Sequence, residues 1–216
     1  FIITNFNMLD IAFHVDAVKG IHRISWEQII KPGATVSTSE DSISTGIVKL
    51  DNRLVIILDF EKIVSDINPE TGLKISEIDD MGARQRSNVP ILIAEDSVLL
   101  NKLIVDSLKK AGYDNLIHTQ NGQEAYDVIQ ACKADGTLKD HVQCVITDIE
   151  MPLMDGHRLT KLIKSDDETK DIPVVIFSSL VNEEMKKKGE ALGADAQLSK
   201  PEIANLVRII DDLVKK

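Results

Sequence analysis

The sequence predicts an α/β fold for the C-terminal part of the chain, built on a five-stranded, doubly wound parallel sheet. Short apolar runs without polar alternation recur there, as expected for strands that are buried on both faces. Each run precedes a segment whose apolar residues repeat at helical spacing. This pairing of a strand with a following helix occurs five times between residues 89 and 216. Repeated strand-helix units of this kind place helices on both faces of a parallel sheet.

The five strand-helix units can be followed along the chain. The first strand, VPILIAED, starts at Val89, and its helix carries apolar residues at helical spacing until Gly112. The later units are LIHT before GQEAYDVIQACK, VQCVITD before HRLTKLIKS, IPVVIFSS before NEEMKKKGEALG, and AQLS before EIANLVRIIDDLVKK. These assignments define a domain over residues 89–216.

Residues 1–68 have a different pattern, that of a β-rich domain. FIITNF and IAFHVDAVKGIHRI read as alternating strands, and GIVKL and RLVIIL form a hairpin around Asp51 and Asn52. EKIVSDI is predicted to be a helix. The polar, glycine-containing stretch 69–88 is predicted to be a linker, in which Ile75 and Ile78 are able to dock.

Composition excludes several classes of function. The 216 residues carry a net charge of −10, and no segment is basic enough to indicate a nucleic-acid-binding surface. No apolar run is long enough for a membrane span, which argues against direct membrane insertion. Cys132 and Cys144 lack metal-binding spacing and are interpreted as reduced thiols of a cytoplasmic protein.

The chemistry is predicted to lie where the strands end, because ligands of doubly wound sheets bind beyond the carboxyl ends of the strands. Acidic, hydroxyl and basic side chains stand at these ends: Glu95, Asp96, Asp148, Ser178 and Lys200. Three carboxylates brought together would repel one another unless a cation lay among them, and an all-oxygen cluster suits Mg²⁺. A lysine and a hydroxyl opposite them suit a phosphoryl oxygen. The sequence therefore predicts a phosphoryl-transfer site.

These residues and their order resemble a response-regulator receiver domain. The resemblance rests on the acidic pair Glu95-Asp96, on Asp148 followed by MPLMDG, on Ser178, and on Lys200-Pro201. It implies a flavodoxin-like strand order, 2-1-3-4-5, and a cis bond before Pro201.

The resemblance also implies roles for the residues. Asp148 would be the nucleophile that takes a phosphoryl group from a kinase phosphohistidine. Lys200 and Ser178 would bind that phosphoryl group. The implied Mg²⁺ ligands are Glu95, Asp96, Asp148 and the main-chain carbonyl of Glu150.

Four positions around the site call for separate interpretation. Gln197 stands three residues before Lys200, where this family usually has an aromatic switch residue, and Ser179 stands where alanine is common. Glu150 places a negative charge near the expected line of water attack, and we hypothesise that it alters the lifetime of the phosphoryl group. Gly156 is interpreted as a turn glycine with positive φ.

Residues 1–68 are similar to the C-terminal part of a CheW-like adaptor domain, through AFHVDAVKGIHRISWEQI and GIVKLDNRLVIILDFEKI. We expect a partial β-barrel, with the first half of that domain missing. Adaptor followed by receiver is the order of the CheV family of chemotaxis coupling proteins. This resemblance implies an adaptor that couples the cytoplasmic tips of chemoreceptors to a histidine kinase, under the control of phosphoryl transfer to Asp148 or draining phosphoryl groups from the kinase, and not an independent enzyme.

Two other functions stay open from the sequence. One is an Mg²⁺-dependent aspartyl-phosphate hydrolase of the haloacid dehalogenase type, in which Glu150 would occupy the place of the general acid. The other is a scaffold whose receiver no longer takes phosphate, an alternative that Gln197 leaves available.

Overall fold

The computed structural model describes most of the chain as two compact units, Phe1–Gly72 and Leu73–Lys216. The described residues are 1–6, 9–30, 43–50, 52–68, 76–79, 81–82, 84–200 and 202–214. No helix among them is long and apolar enough to cross a membrane.

The described residues of the first unit form two small antiparallel sheets and one α-helix. Its elements are β1 (Ile2–Phe6), β2 (Leu9–Phe13), β3 (Ile29–Ile30), β4 (Ser44–Leu50), β5 (Arg53–Leu58) and α1 (Phe60–Ile67), with a 3₁₀ turn at Trp26–Gln28. Strands β1 and β2 pair with each other, and the second sheet has the order β3-β4-β5. The β-rich character predicted for this region is confirmed.

The predicted hairpin of the first unit is confirmed, whereas one strand is shorter than predicted. Leu50 pairs with Arg53 at the end of the β4-β5 ladder, and Asn52 between them has a φ of 63°. Asparagine tolerates this left-handed region better than most residues, which explains its place in the turn. The strand predicted to run from Ile11 to Ile24 ends at Phe13.

The predicted helix after the hairpin is also present, as α1. Its N-cap is Asp59, whose carboxylate accepts a hydrogen bond from the Lys62 N–H at 2.9 Å. Such a cap satisfies one of the main-chain donors that a helix leaves open at its start.

The second unit is built around one parallel sheet. Its strands are β6 (Ile91–Ala94), β7 (Leu116–Thr119), β8 (Cys144–Thr147), β9 (Val174–Ser178) and β10 (Ala196–Ser199). They lie in the order β10-β9-β8-β6-β7, and every neighbouring pair is parallel. Counted within the unit this order is 5-4-3-1-2, so the predicted 2-1-3-4-5 sheet is confirmed.

Helices cover both faces of that sheet. They are α2 (Ser76–Asp79), α3 (Val98–Lys110), α4 (Gly122–Ala134), α5 (Leu138–His141), α6 (Gly156–Lys164), α7 (Glu183–Ala191) and α8 (Ile203–Val214). Apolar residues of α3 and α8 share one core cluster, and those of α4 and α6 share the other. Helix α5 was not predicted, because a single turn is too short to display helical periodicity.

The described residues just before β6 are packed into the second unit. Ile78 of α2 is only 3% exposed and belongs to the cluster formed by α3 and α8. Arg84 donates from Nη2 to both carboxylate oxygens of Asp211, at 2.6 and 2.7 Å, and from Nε to the Ala111 carbonyl at 2.7 Å. Asp211 also accepts a hydrogen bond from the Tyr113 hydroxyl. The docking considered for Ile78 is therefore observed, whereas Ile75 lies outside the described residues.

Candidate phosphoryl-transfer site

The sheet brings the singled-out side chains to one edge. Glu95 follows β6, Asp148 follows β8, Ser178 ends β9 and Lys200 follows β10. Strand β8 lies between β6 and β9, and β9 lies next to β10, all in parallel. Their carboxyl ends therefore point the same way.

The centre of the site is a buried ion-pair network. The Lys200 ammonium nitrogen lies 3.0 Å from Oδ2 of Asp148 and 3.1 Å from Oε2 of Glu95. Lys200 is 4%, Asp148 6% and Glu95 2% exposed, so water screens these charges weakly. Charged groups of these types are rarely buried without a partner, and here each has an opposite charge at contact distance.

Asp96 completes an acidic cluster with Glu95 and Asp148. Each of the three residues offers a carboxylate oxygen, and these oxygens all lie within 4.8 Å of one another. Two of these carboxylates, those of Glu95 and Asp148, contact Lys200. The donor set, which is made of oxygen atoms alone, is the type that Mg²⁺ prefers.

Main-chain donors orient the carboxylates. The Ile149 N–H donates to Oδ1 of Asp148 at 2.7 Å, while Lys200 contacts Oδ2, so both oxygens of Asp148 have partners. The Ser97 N–H donates to Oε1 of Glu95 at 3.2 Å. The role of the Ser97 N–H was not predicted, because a main-chain donor carries no sequence signal.

Gly156 corrects one interpretation from the sequence. Its φ is not positive, and the left-handed residue of this loop is Leu153, with a φ of 66°. A Cβ at Gly156 would lie 1.9 Å from the Asp148 main-chain oxygen and 2.9 Å from Oγ1 of Thr147. Gly156 is therefore required because the start of α6 passes against the backbone of Asp148.

The hydroxyl side of the site is buried as well. Ser178 is 1% and Ser179 3% exposed, and the Leu180 N–H donates to Oγ of Ser178 at 3.3 Å. The side chain of Glu150 is exposed. The cis bond predicted before Pro201 lies outside the described residues.

The two cysteines are free thiols. Cys144 is buried within β8, and burial raises the pKa of its thiol to about 12. The neutral thiol is therefore the stable form, and Cys144 serves packing rather than reactivity.

Two protein-family models match the chain, one in each unit. The response regulator receiver domain model matches residues 91–211. The chain belongs to the response regulator receiver family. Residues 1–68 match the CheW-like domain model. The predicted combination of a CheW-like domain and a receiver domain, as in CheV-type chemotaxis proteins, is confirmed.

Two curated relatives align with the whole length of this chain. The chemotaxis protein CheV3 of Helicobacter pylori is 26% identical over 219 aligned residues, which span the whole of this chain and 69% of the relative. CheV2 of the same organism is 30% identical over 223 aligned residues, which span the whole chain and 66% of the relative.

Solved structures resemble the second unit. A putative response regulator from Chloroflexus aurantiacus has a TM-score of 0.53 at 24% identity, covering 60% of this chain and all of the other. A receiver domain from Francisella has a TM-score of 0.51 at 26% identity, covering 59% of this chain and 98% of the other. The structure from Chloroflexus aurantiacus, at 24% identity, supports only the assignment of the fold.

Proposed function

We propose that this protein is a chemotaxis adaptor controlled by phosphorylation. The receiver would accept a phosphoryl group at Asp148 from the phosphohistidine of a chemotaxis histidine kinase. The observation that carries the proposal is the buried contact of Asp148 with Lys200, at 3.0 Å, beside the carboxylates of Glu95 and Asp96. The division that we propose assigns adaptor binding to residues 1–68, connection to 69–88 and phosphoryl chemistry to 89–216.

The acidic cluster fits Mg²⁺. The residues that would hold it are Glu95, Asp96, Asp148 and the main-chain carbonyl of Glu150. A bound Mg²⁺ would neutralise charge on the phosphoryl oxygens and on the attacking carboxylate. The closeness of the three carboxylate oxygens supports this assignment, because neighbouring carboxylates repel one another less when a cation lies among them.

Each side chain then has a definite task in the transfer. An oxygen of Asp148 attacks the phosphorus, the phosphorus–nitrogen bond of the phosphohistidine breaks, and its electron pair returns to the imidazole, which takes up a proton. The Ile149 N–H and Lys200 hold the two oxygens of Asp148, which fixes the plane of the nucleophile. Lys200 and the Ser178 hydroxyl would then bind the phosphoryl oxygens.

The first unit supports a binding role. Leu54 is 72% and Ile56 59% exposed on β5, which is an edge strand of its sheet among the residues that the structure describes. Exposed apolar side chains along a strand edge are typical of a surface that binds other protein segments. The proposed partners are chemoreceptor cytoplasmic tips and the kinase, the proposed location is the cytoplasm, and neither nucleic acid nor a membrane is a proposed ligand.

A phosphotransfer assay tests the proposal. Kinase that carries radiolabelled phosphate on its histidine is mixed with this protein, with an Asp148→Asn variant, and with the protein in excess chelator. We expect label to move to the protein only when Asp148 and Mg²⁺ are both present. Transfer to the Asp148→Asn variant would refute Asp148 as the acceptor.

A co-sedimentation assay with receptor-containing membranes tests the adaptor half. We expect the kinase to be retained on the membranes in larger amounts when this protein is present. Steady turnover of a small aryl phosphate, with no retention of receptor or kinase, would instead identify a hydrolase.

Glu150 is predicted to set the lifetime of the phosphoryl group. Its exposed carboxylate lies two residues after the acceptor, where it would affect the approach of water. We expect Glu150→Ala to change the dephosphorylation rate without preventing phosphorylation. Identical decay of labelled wild-type protein and variant would contradict this role.

A further inference from the structure

The main chain leaves the sheet in the same way at the ends of β6 and β8. The N–H groups of Glu95 and Asp148 still donate to carbonyls of neighbouring strands, at 3.1 and 3.0 Å. The carbonyl groups of the same two residues lie beyond the strands, which end at Ala94 and Thr147. Buried main-chain carbonyls need a hydrogen-bond donor. At both positions a buried side chain supplies that donor.

Asn101 is the donor to Glu95. It lies in the first turn of α3 and is 8% exposed, and its Nδ2 donates to the Glu95 carbonyl at 3.3 Å. Its own N–H donates to the Ser97 carbonyl at 2.8 Å, as part of the helix start. Asparagine is a poor helix former, and the bond to Glu95 is a physical reason for its presence. Asn101 therefore ties the main chain of Glu95 to helix α3.

Thr147 is the donor to Asp148. It is the last residue of β8 and is fully buried, and its Oγ1 donates to the Asp148 carbonyl at 2.9 Å. A hydroxyl group that is buried without a hydrogen bond costs free energy. The bond to Asp148 therefore accounts for a polar residue at the end of a strand that is otherwise apolar.

The two acceptors of these bonds are residues of the phosphoryl-transfer site. The carboxylates of Glu95 and Asp148 contact the Lys200 ammonium at 3.1 and 3.0 Å. With Asp96 they offer oxygens that all lie within 4.8 Å of one another. A turn of the main chain at either residue would move its carboxylate, and Mg²⁺ demands a nearly ideal octahedral arrangement of its ligands.

We propose that Asn101 and Thr147 are positioning residues of the site. They hold the main chain of Glu95 and Asp148 so that the carboxylates of these two residues meet at one Mg²⁺ ion. This inference rests on the proposed function. It adds two residues that act through the backbone of the acidic cluster rather than on the phosphoryl group itself.

Calorimetric titration of the full chain with MgCl₂ tests the proposal without any phosphoryl group. Asn101→Leu and Thr147→Val remove the two donors and nearly keep the shape of each side chain. Loss of a residue that orients a metal ligand lowers metal affinity by about 10- to 100-fold, and we expect a loss of this size in each variant. Thr147→Ser keeps the hydroxyl group and should bind Mg²⁺ like wild type.

Thr169→Val is the matched control. Thr169 is 1% exposed, and its Oγ1 donates to the Ile163 carbonyl at 2.7 Å, so this variant loses a buried bond of the same kind. It should lose thermal stability as Thr147→Val does, and keep the Mg²⁺ affinity of wild type. An equal loss of affinity in Thr169→Val would overturn the proposal. Binding by Thr147→Ser as weak as that by Thr147→Val would also overturn it, because the methyl group would then be the cause.

The rate of phosphorylation by acetyl phosphate separates the two residues. Asn101 holds a metal ligand only, so raising the Mg²⁺ concentration should restore the rate of Asn101→Leu. Thr147 also holds the attacking carboxylate, so Thr147→Val should stay about 10- to 100-fold slower than wild type at saturating Mg²⁺. A full rate for Thr147→Val under these conditions would refute its effect on the nucleophile. If Thr147→Val does not fold, Asn101→Leu and Thr147→Ser carry the test.

The Mg²⁺ titration also distinguishes failure of this inference from failure of the proposed function. Weaker Mg²⁺ binding in both variants, combined with no phosphorylation of wild type, would keep the positioning residues and refute the phosphoacceptor. Wild-type Mg²⁺ affinity in both variants, combined with normal phosphorylation, would refute the positioning residues and keep the phosphoacceptor.

Discussion

Replacing Asp96 by asparagine is expected to stabilise the protein in the absence of divalent cations. The change keeps the shape of the side chain but removes one of three negative charges, whose oxygens all lie within 4.8 Å of one another. Two unit charges at that distance repel by about 3.5 kcal/mol at an effective dielectric constant near 20. Asp96 is half-buried, and solvent screening reduces the expected gain to about 1–2 kcal/mol.

The assay is unfolding followed through Tyr113 and Tyr126, the two tyrosines of the chain, both in the second unit. In chelator, Asp96→Asn should unfold about 3–6 °C above wild type. With Mg²⁺ at ten times its dissociation constant, wild type should gain about 1.4 kcal/mol and the variant much less, because it lacks one proposed ligand.

Asp106→Asn, an exposed change of the same type on α3, is the matched control. It should shift the stability by less than about 0.5 kcal/mol in either condition. Two results would refute the reasoning: an Asp96→Asn variant less stable than wild type in chelator, or a wild-type protein that Mg²⁺ does not stabilise.

Further expectations concern the packing around the site and before β6. Asp211→Asn weakens the contacts of Arg84 and Tyr113, so we expect a loss of about 1.5–3 kcal/mol in urea unfolding and faster hydrogen exchange over residues 76–88. Burial, and then Asp211, raise the pKa of Tyr113. The free energy of unfolding of wild type should therefore fall as pH rises above about 10, with a smaller fall in the Asp211→Asn variant. An equal fall with pH in both proteins would contradict this. Gly156→Ala should abolish phosphorylation, because its Cβ would lie 1.9 Å from the Asp148 main-chain oxygen; normal labelling would refute that constraint.

The sequence predicted the second unit better than the first. Strands LIHT and AQLS were predicted at the residues where β7 and β10 lie, because each stands just before a segment with helical periodicity in the repeated strand-helix pattern. In the first unit the strand predicted from Ile11 onward was too long, because β2 ends at Phe13. Alternation of apolar and polar residues alone does not show where strand pairing stops. The docking of Arg84 on Asp211 joins residues 127 positions apart, a separation that leaves no local pattern.

The candidate site could be predicted for a similar reason. The carboxyl ends of parallel strands lie at one edge of a sheet. Glu95, Asp148 and Lys200 could therefore be placed together from their positions at predicted strand ends. The close approach of Gly156 to Asp148 and of Gly189 to Gln197 could not, because both depend on backbone distances across elements. Glycine was noticed at position 156, but a turn was inferred where tight packing is the cause.

The most direct test of the central claim is the intact mass of the protein after incubation with acetyl phosphate and Mg²⁺. Wild type should gain the mass of one phosphoryl group, whereas the Asp148→Asn variant and a chelator-treated sample should gain none. No gain by wild type, together with no binding of beryllofluoride, would contradict the assignment of Asp148 as a phosphoacceptor.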